Sequence, residues 1–510
     1  MRQKILICIT LSLIILTAFL PVLTASFVSL DDPEHLLKNP AVSLTSLSDI
    51  KNSFTQTINH VYLPLTTLSF AVEKFFFGFN PLVFHIDNLI LHIITTIGVF
   101  FLACRLGISL RAAFLAALLF GLHPMKVESV AWVTERKDVL YAFFYVLALH
   151  TYLSYVKTKS AYFYIATLCL GILSILSKAM GLSLGLILLL IDWQQQRKIT
   201  LNVILEKCPF FFYSAWIGSI SYLPHMRNPI IDIGHSILVW SWCFCFYLWK
   251  FIFPATVSPY YRLPEPIVLT HWPYALSLLA TIGVALLMIL KRHNRLLLFA
   301  CTYYFLSIFF LLRFDQGLDS SVVSDRFMYL PCLGICLLVG IYADRLCNNK
   351  WMIAVIVAIL LMLGTKTYRQ CFVWQNSLNL WNELISKYPE GFAAYLNRGQ
   401  IFVAQGQHNL AIADYTKAIE LEPAFPGSYV NRGTVLAQTG RTQEAMADFD
   451  KALSLNPTIA EAYFNRAIIK EKNNDFKGAL ADLLVAQRYH APIPAYFLKR
   501  VEEESSKESR

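Results

Sequence analysis

Asp31 and Asp32 stand side by side just after the first long apolar run of the chain. Paired carboxylates at a membrane surface can hold a divalent cation, magnesium or manganese, or serve as a general base. A helix cap or a solvated turn is the plainer alternative. A second polar stretch runs from His123 to Asp138 between two apolar runs. It carries His123, Lys126, Glu128, Glu135, Arg136, Lys137 and Asp138, a density of charge that is costly near a bilayer unless the groups pair or bind something. Arg136 and Lys137 suit a phosphate, whereas Glu128, Glu135 and Asp138 suit pairing or acid–base work. A structural ion-pair network explains the same residues equally well. Two further charges, Lys178 after one apolar run and Arg326 before another, fit either a ligand or snorkelling side chains.

These residues need a membrane frame. The chain has 510 residues, 56% hydrophobic and 15% charged, which excludes an ordinary soluble enzyme. Apolar runs recur at roughly 5–23, 84–104, 111–122, 138–156, 161–176, 181–191, 207–223, 236–254, 273–290, 296–313, 327–345 and 350–367. Met1-Arg2-Gln3-Lys4 and the run after them could form a signal peptide, but their length favours an uncleaved first helix. Of 43 Lys+Arg and 33 Asp+Glu, 15 and 16 lie from Ser377 onward, so the first 376 residues carry a net +11. That excess reads as positive cytoplasmic loops and not as a nucleic-acid face. Arg2 and Lys4, then Lys291 to Arg295, place the N-terminus and the 291–295 loop in the cytoplasm, which puts 26–82 and His123–Asp138 outside. The repeats described next fall on that outer side by the same reasoning. Six apolar runs separate Asp138 from Lys291 where an odd number of crossings is required. One of them is therefore re-entrant or one was missed, and 181–191 is the weakest. The 11 cysteines all precede Ser377 without metal-ligand spacing and read as small core residues.

The last third repeats every 34 residues. Tyr395, Tyr429 and Tyr463 share a phase with Asn397, Asn431 and Asn465, and Ala411, Ala445 and Ala479 follow. Ala418, Ala452 and Ala486 come next, and Pro423 and Pro457 close the unit, the pattern of tetratricopeptide helix pairs. The expected organisation is all-α. A polytopic membrane domain of about 11–13 helices spans 1–370, with a first outer loop at 26–82. A linker and half-repeat follow at 371–394, three repeats at 395–490, and a capping helix with polar tail at 491–510. Asn397, Asn431 and Asn465 form a register of amides that could hydrogen-bond a peptide backbone, unless Asn is merely common at that position.

The order of these pieces is specific. Tyr62-Leu63-Pro64-Leu65, Gly78-Phe79-Asn80-Pro81 and Phe84-His85-Ile86-Asp87-Asn88 precede His123-Pro124, Glu128-Ser129-Val130-Ala131-Trp132, Glu135-Arg136-Lys137-Asp138, Ser177-Lys178 and Asp325-Arg326-Phe327. Over nearly the whole chain this resembles the transmembrane and tetratricopeptide repeat-containing O-mannosyltransferases and their bacterial relatives, within the GT-C glycosyltransferases. The resemblance implies a polyprenyl-phosphate-linked sugar donor and a polypeptide acceptor presented by the repeats, with no nucleic acid involved. It implies that Asp31 or Asp32 deprotonates the acceptor hydroxyl, with or without a divalent metal. It makes Glu128, Arg136, Asp138, Lys178 and Arg326 pocket residues, beside His123, Glu135 and Lys137 of the same segment. The single-subunit layout and short repeat array suggest a bacterial inner membrane, with the site facing outward by the charge reasoning above. Leu63 stands where relatives often carry an arginine. A non-catalytic repeat scaffold, or an enzyme acting on a cell-surface glycan or lipid, are the competing readings.

Overall fold

The computed structural model describes residues 1–43, 47–55, 57, 62–222, 233–309 and 323–507. Parts of the 26–82 loop, the ends of the expected spans at 207–223 and 296–313, and the end of the 491–510 tail lie outside the described residues. Every regular element among the described residues is helical, and the chain divides into two compact units, Met1–Asn376 and Ser377–Arg510.

In the first unit, Arg2–Thr24, Pro81–Arg105, Val133–Thr158, Trp272–Leu290 and Lys350–Trp374 are long and apolar enough to cross a membrane. The unit is thus multi-pass by length and composition, with fewer full-length spans among the described residues than the apolar runs suggest. The difference has local causes. Leu110–Leu122 bends by 54° into Pro124–Ala131, because Pro124 has no N–H to continue the ladder. Lys178 is extended, with φ −158° and ψ 138°, and breaks one apolar stretch into Ala161–Ser177 and Ala179–Gln194. These two breaks leave the His123–Glu135 stretch and Lys178 without a continuous helix, free to turn their side chains inward.

The second unit begins with Ser377–Lys387 and stacks three helix pairs: Phe392–Ala404 with His408–Leu421, Pro426–Gln438 with Thr442–Leu455, and Ala460–Lys472 with Phe476–Arg488. Ala495–Lys507 follows. The pairs close because small residues face large ones. A Cβ on Gly399 would meet the Tyr415 ring at 2.5 Å, and one on Gly433 would meet Phe449 at 2.9 Å. In the third pair a leucine, Leu483, replaces the ring, and Ala467 replaces the glycine. The repeat enlarges one residue where its partner shrinks.

The polar spine of the array was not read from the period, although it has the same period. Arg398, Arg432 and Arg466 each form a two-pronged pair with the aspartate sixteen residues on: Asp414, Asp448 and Asp482. The Nε–Oδ2 bonds are all 2.8 Å and the terminal bonds 2.7 Å. The third arginine nitrogen reaches back one pair, to Asn382, Thr416 and Asp450 respectively. Each guanidinium therefore staples three helices. Asp448→Asn is expected to lower the unfolding free energy of the array by about 1–3 kcal/mol in a denaturant titration. Asn431→Ala is expected to change it by less than about 0.5 kcal/mol.

Candidate active site

Asp32 is the fixed member of the acidic pair. It is 1% exposed, and its carboxylate accepts three N–H bonds. Oδ2 takes Val28 N at 2.8 Å, and Oδ1 takes Trp132 Nε1 at 3.0 Å and Thr134 N at 3.2 Å. One side chain thus joins the turn after the first helix to the segment that enters Arg136–Thr158. The Trp132 indole in turn stacks on Trp374, 5.3 Å between centroids, at the end of the last span. Burial pushes the Asp32 pKa up to about 6, and the N–H donors oppose that rise.

Asp31 is half-buried, and its carboxylate makes no hydrogen bond or ion pair among the described residues. Its charge acts on Lys137 and on His35, one turn further along. Burial, with Lys137 beside it, lowers the His35 pKa, so the imidazole is neutral at pH 7. Both oxygens of Asp32 are committed to N–H donors, and no group of three or more metal-ligating residues occurs among the described residues. The acidic pair in this arrangement does not fit a divalent ion.

Beside Asp31 lies a cup of alternating charge. Glu128 pairs with the Arg326 guanidinium and also accepts Arg326 N at 3.1 Å. Glu135 lies 2.9 Å from Lys137 Nζ, 3.4 Å from Lys178 Nζ and 3.4 Å from Arg326 Nε. Asp138 binds Lys178 Nζ at 2.6 Å and Ser129 Oγ at 3.1 Å. The burial of the two signs differs. The acidic side chains are 2%, 1% and 0% exposed, whereas Lys137, Lys178 and Arg326 are 12%, 11% and 21% exposed. The carboxylates sit behind the cations and hold them, so an approaching ligand meets positive charge. Burial alone would lower the Arg326 pKa, but Glu128 and Glu135 overcome it and raise it. Aromatic rings wall the cup: Arg326 lies over Trp132 at 5.6 Å and over Phe327 at 5.2 Å, and Lys178 over Phe327 at 5.6 Å.

Two residues expected in the pocket serve the frame. Arg136, 1% exposed, gives each of its three nitrogens a partner, Asn88 Oδ1 at 2.7 Å, Phe84 O at 2.7 Å and Glu73, and its burial keeps it from a phosphate in the cup. His123 uses both ring nitrogens, toward Phe251 O at 2.9 Å and Met125 N at 3.3 Å, and stacks on Phe251. Leu63 is buried where the Pro64–Phe77 helix begins. Of the repeat amides, Asn397 Nδ2 donates to Ala393 O at 2.8 Å and Asn465 Nδ2 to Thr434 Oγ1 at 3.0 Å. Sequence reading also passed over Asp325. It accepts Ser258 N and Tyr261 OH, both at 2.8 Å, under the Arg326 backbone, and burial followed by the Glu128 charge raises its pKa to about 7. The Asp-Arg pair was visible, but its acid could not be given a partner 67 residues away.

A multi-spanning helical unit with a charged cup at one end, joined in sequence to a tetratricopeptide solenoid, is the class that this architecture defines. Family models for the TPR repeat match residues 399–440, 426–459 and 449–481. The relatives that the chain matches over most of its length are named protein O-mannosyl-transferases. It is 26% identical to human TMTC1 over 443 residues, 73% of this chain and 49% of that protein. A Caenorhabditis elegans protein O-mannosyl-transferase is 26% identical over 458 residues, 83% of this chain and 63% of its own length. Human TMTC4 is 24% identical over 473 residues, 76% and 62% of the two chains. The chain therefore spans about half to somewhat under two thirds of the length of these relatives. Among solved structures it is similar to the TPR domain of Arabidopsis OM64, at 25% identity and a TM-score of 0.21, over 22% of this chain and 94% of that one. The TPR2B domain of yeast Sti1 gives 23% identity and a TM-score of 0.21, over 23% and 97%.

Asp32 carries a pH signature. Its folded pKa lies above the unfolded value of 3.8, so the stability it contributes is complete below pH 3.8 and is lost as pH rises through about 6. Asp32→Asn is expected to remove that slope, at most about 3 kcal/mol, when unfolding of wild type and variant is compared from pH 4 to 7. Equal slopes would show that Asp32 is not held in this environment.

Proposed function

We propose that the protein is a membrane glycosyltransferase that moves a sugar, mannose by analogy with its relatives' names, from a polyprenyl-phosphate donor to Ser or Thr of a polypeptide. The observation that carries this reading is the cup itself: three cations presented to a ligand, backed by three buried acids, beside one uncommitted carboxylate. A phosphate that leaves with negative charge needs preorganised cations, and an attacking hydroxyl needs a base within reach. Asp31 accepts the proton of the acceptor hydroxyl as its oxygen bonds to the anomeric carbon. The bond from that carbon to the phosphate oxygen breaks with its electron pair, and inversion follows. Lys137, Lys178 and Arg326 stabilise the polyprenyl phosphate that departs. Asp32 positions the loop that carries Asp31, and no step is routed through a metal.

The tetratricopeptide array binds the acceptor polypeptide in this reading, in keeping with the use of such solenoids as peptide grooves. The cup faces away from the cytoplasm, as the basic N-terminus and the 291–295 loop suggest.

The test is transfer of labelled mannose from polyprenyl-phosphate-mannose to a Ser/Thr peptide by the reconstituted protein. Asp31→Asn is expected to lower kcat by roughly 10²–10⁴-fold with little change in donor KM. Asp32→Asn keeps two of three bonds and should cost less. Unchanged transfer in Asp31→Asn would remove it from the role of base, and no transfer by wild type to any peptide would sink the reading.

A further inference from the structure

The helix Pro64–Phe77 touches the site with one face and leaves its far end uncovered. Its inner face is fixed at several points. The Thr66 hydroxyl donates to Ser177 O at 3.0 Å, next to Lys178. Phe70 packs on Phe84 at 5.9 Å and under the Arg136 guanidinium at 4.9 Å, and Glu73 pairs with Arg136. Two residues beyond Arg136's partner Glu73 the character changes. Phe75, Phe76 and Phe77 are 65%, 69% and 61% exposed, in edge-to-face and tilted contact with one another. Gly78, at φ +64°, reverses the chain without a Cβ penalty. Asn80 then caps the next helix, and Phe79 and Leu82, 37% and 43% exposed, lie at its head.

That next helix is Pro81–Arg105, one of the five among the described residues that are long and apolar enough to span a membrane. The phenylalanine patch is therefore continuous with a surface that faces lipid. A run of exposed aromatic residues at the end of a span is costly in water and favourable at a membrane interface. Lys74 completes the pattern. Its ammonium lies over the Phe79 ring at 4.6 Å and bonds Ser43 Oγ at 2.8 Å, a cation at the rim of the apolar face.

We propose that Phe75, Phe76 and Phe77, with Phe79 and Leu82, insert into the bilayer interface on the side of the cup and anchor it at headgroup depth. The helix transmits this depth through Thr66 and the Glu73–Arg136 pair, both of which end beside cup residues. The anchor stands whether or not the cup is a transferase site. Should it be one, a lipid-borne phosphate meets the cations without leaving its leaflet.

The experiment places a photoreactive benzoyl-phenylalanine at position 76 of the full chain. The protein is reconstituted in nanodiscs of phosphatidylethanolamine and phosphatidylglycerol, irradiated, and analysed by mass spectrometry. Position 282, in the span Trp272–Leu290, is the lipid-facing control, and position 496, exposed on Ala495–Lys507, the solvent-facing one. A mass shift of one phospholipid at 76 and at 282, but not at 496, is the expected result. No lipid adduct at 76 beside a clear one at 282 would overturn the proposal, as would an adduct joining two copies of the chain. The same substitution at position 77 serves if the first variant does not assemble, with the same outcomes deciding. Neither sugar donor nor peptide is present, so failure here is distinct from failure of the transferase reading.

Discussion

Three carboxylates sealed behind three cations are the constraint on which the membrane unit turns. Glu128, Glu135 and Asp138 are almost wholly buried, and an unpaired buried carboxylate would cost several kcal/mol. Arg326 and Lys178 arrive from other parts of the chain to satisfy them, and Lys137 is supplied by the same segment. The pairing therefore draws together the bend after Leu122, the break at Lys178 and the loop before the Leu333–Leu346 helix. Geometry does the rest. With the acids behind, the cations keep their outer faces for a ligand and lose little ordering entropy when one binds.

Asp32 performs the matching task for the loop after the first helix. Its three N–H bonds and the Trp132–Trp374 stack connect residues near 30, 132 and 374, so the first helix, the bent segment and the Lys350–Trp374 helix meet at one point. Asp31 then projects beside an anchored neighbour while its own carboxylate stays uncommitted. Adjacent aspartates thus divide the labour: one holds and the other is free to react. A double substitution would remove both functions at once.

The sequence showed the solenoid clearly because the same residue types return every 34 positions, and no tertiary knowledge is needed to read a period. It showed the all-helical membrane character for a similar reason, since hydropathy is local. Partners were another matter. Arg136 and Lys137 are neighbours of like charge, yet one is caged by Asn88, Phe84 and Glu73 while the other faces the cup. Nothing local separates them, because the choice is made by residues 48 to 63 positions away. Glu128 and Arg326 lie 198 residues apart, and only the resemblance to a family placed them in one pocket. The break at Lys178 was visible as the end of one apolar run, but the extended backbone that turns its side chain inward was not. The arginine–aspartate spine of the array was written in the period and was passed over in favour of the asparagines.

The central claim is that the cup receives a lipid-linked phosphate, and the most direct measurement is binding of polyprenyl phosphate to the reconstituted protein. Lys137→Gln is the variant of choice, because Glu135 retains Lys178 and Arg326. Loss of one charged contact to a phosphate is expected to weaken binding about tenfold or more, and raised salt to weaken wild type and variant alike. Equal affinity of wild type and Lys137→Gln, or no saturable binding by wild type, would contradict the account.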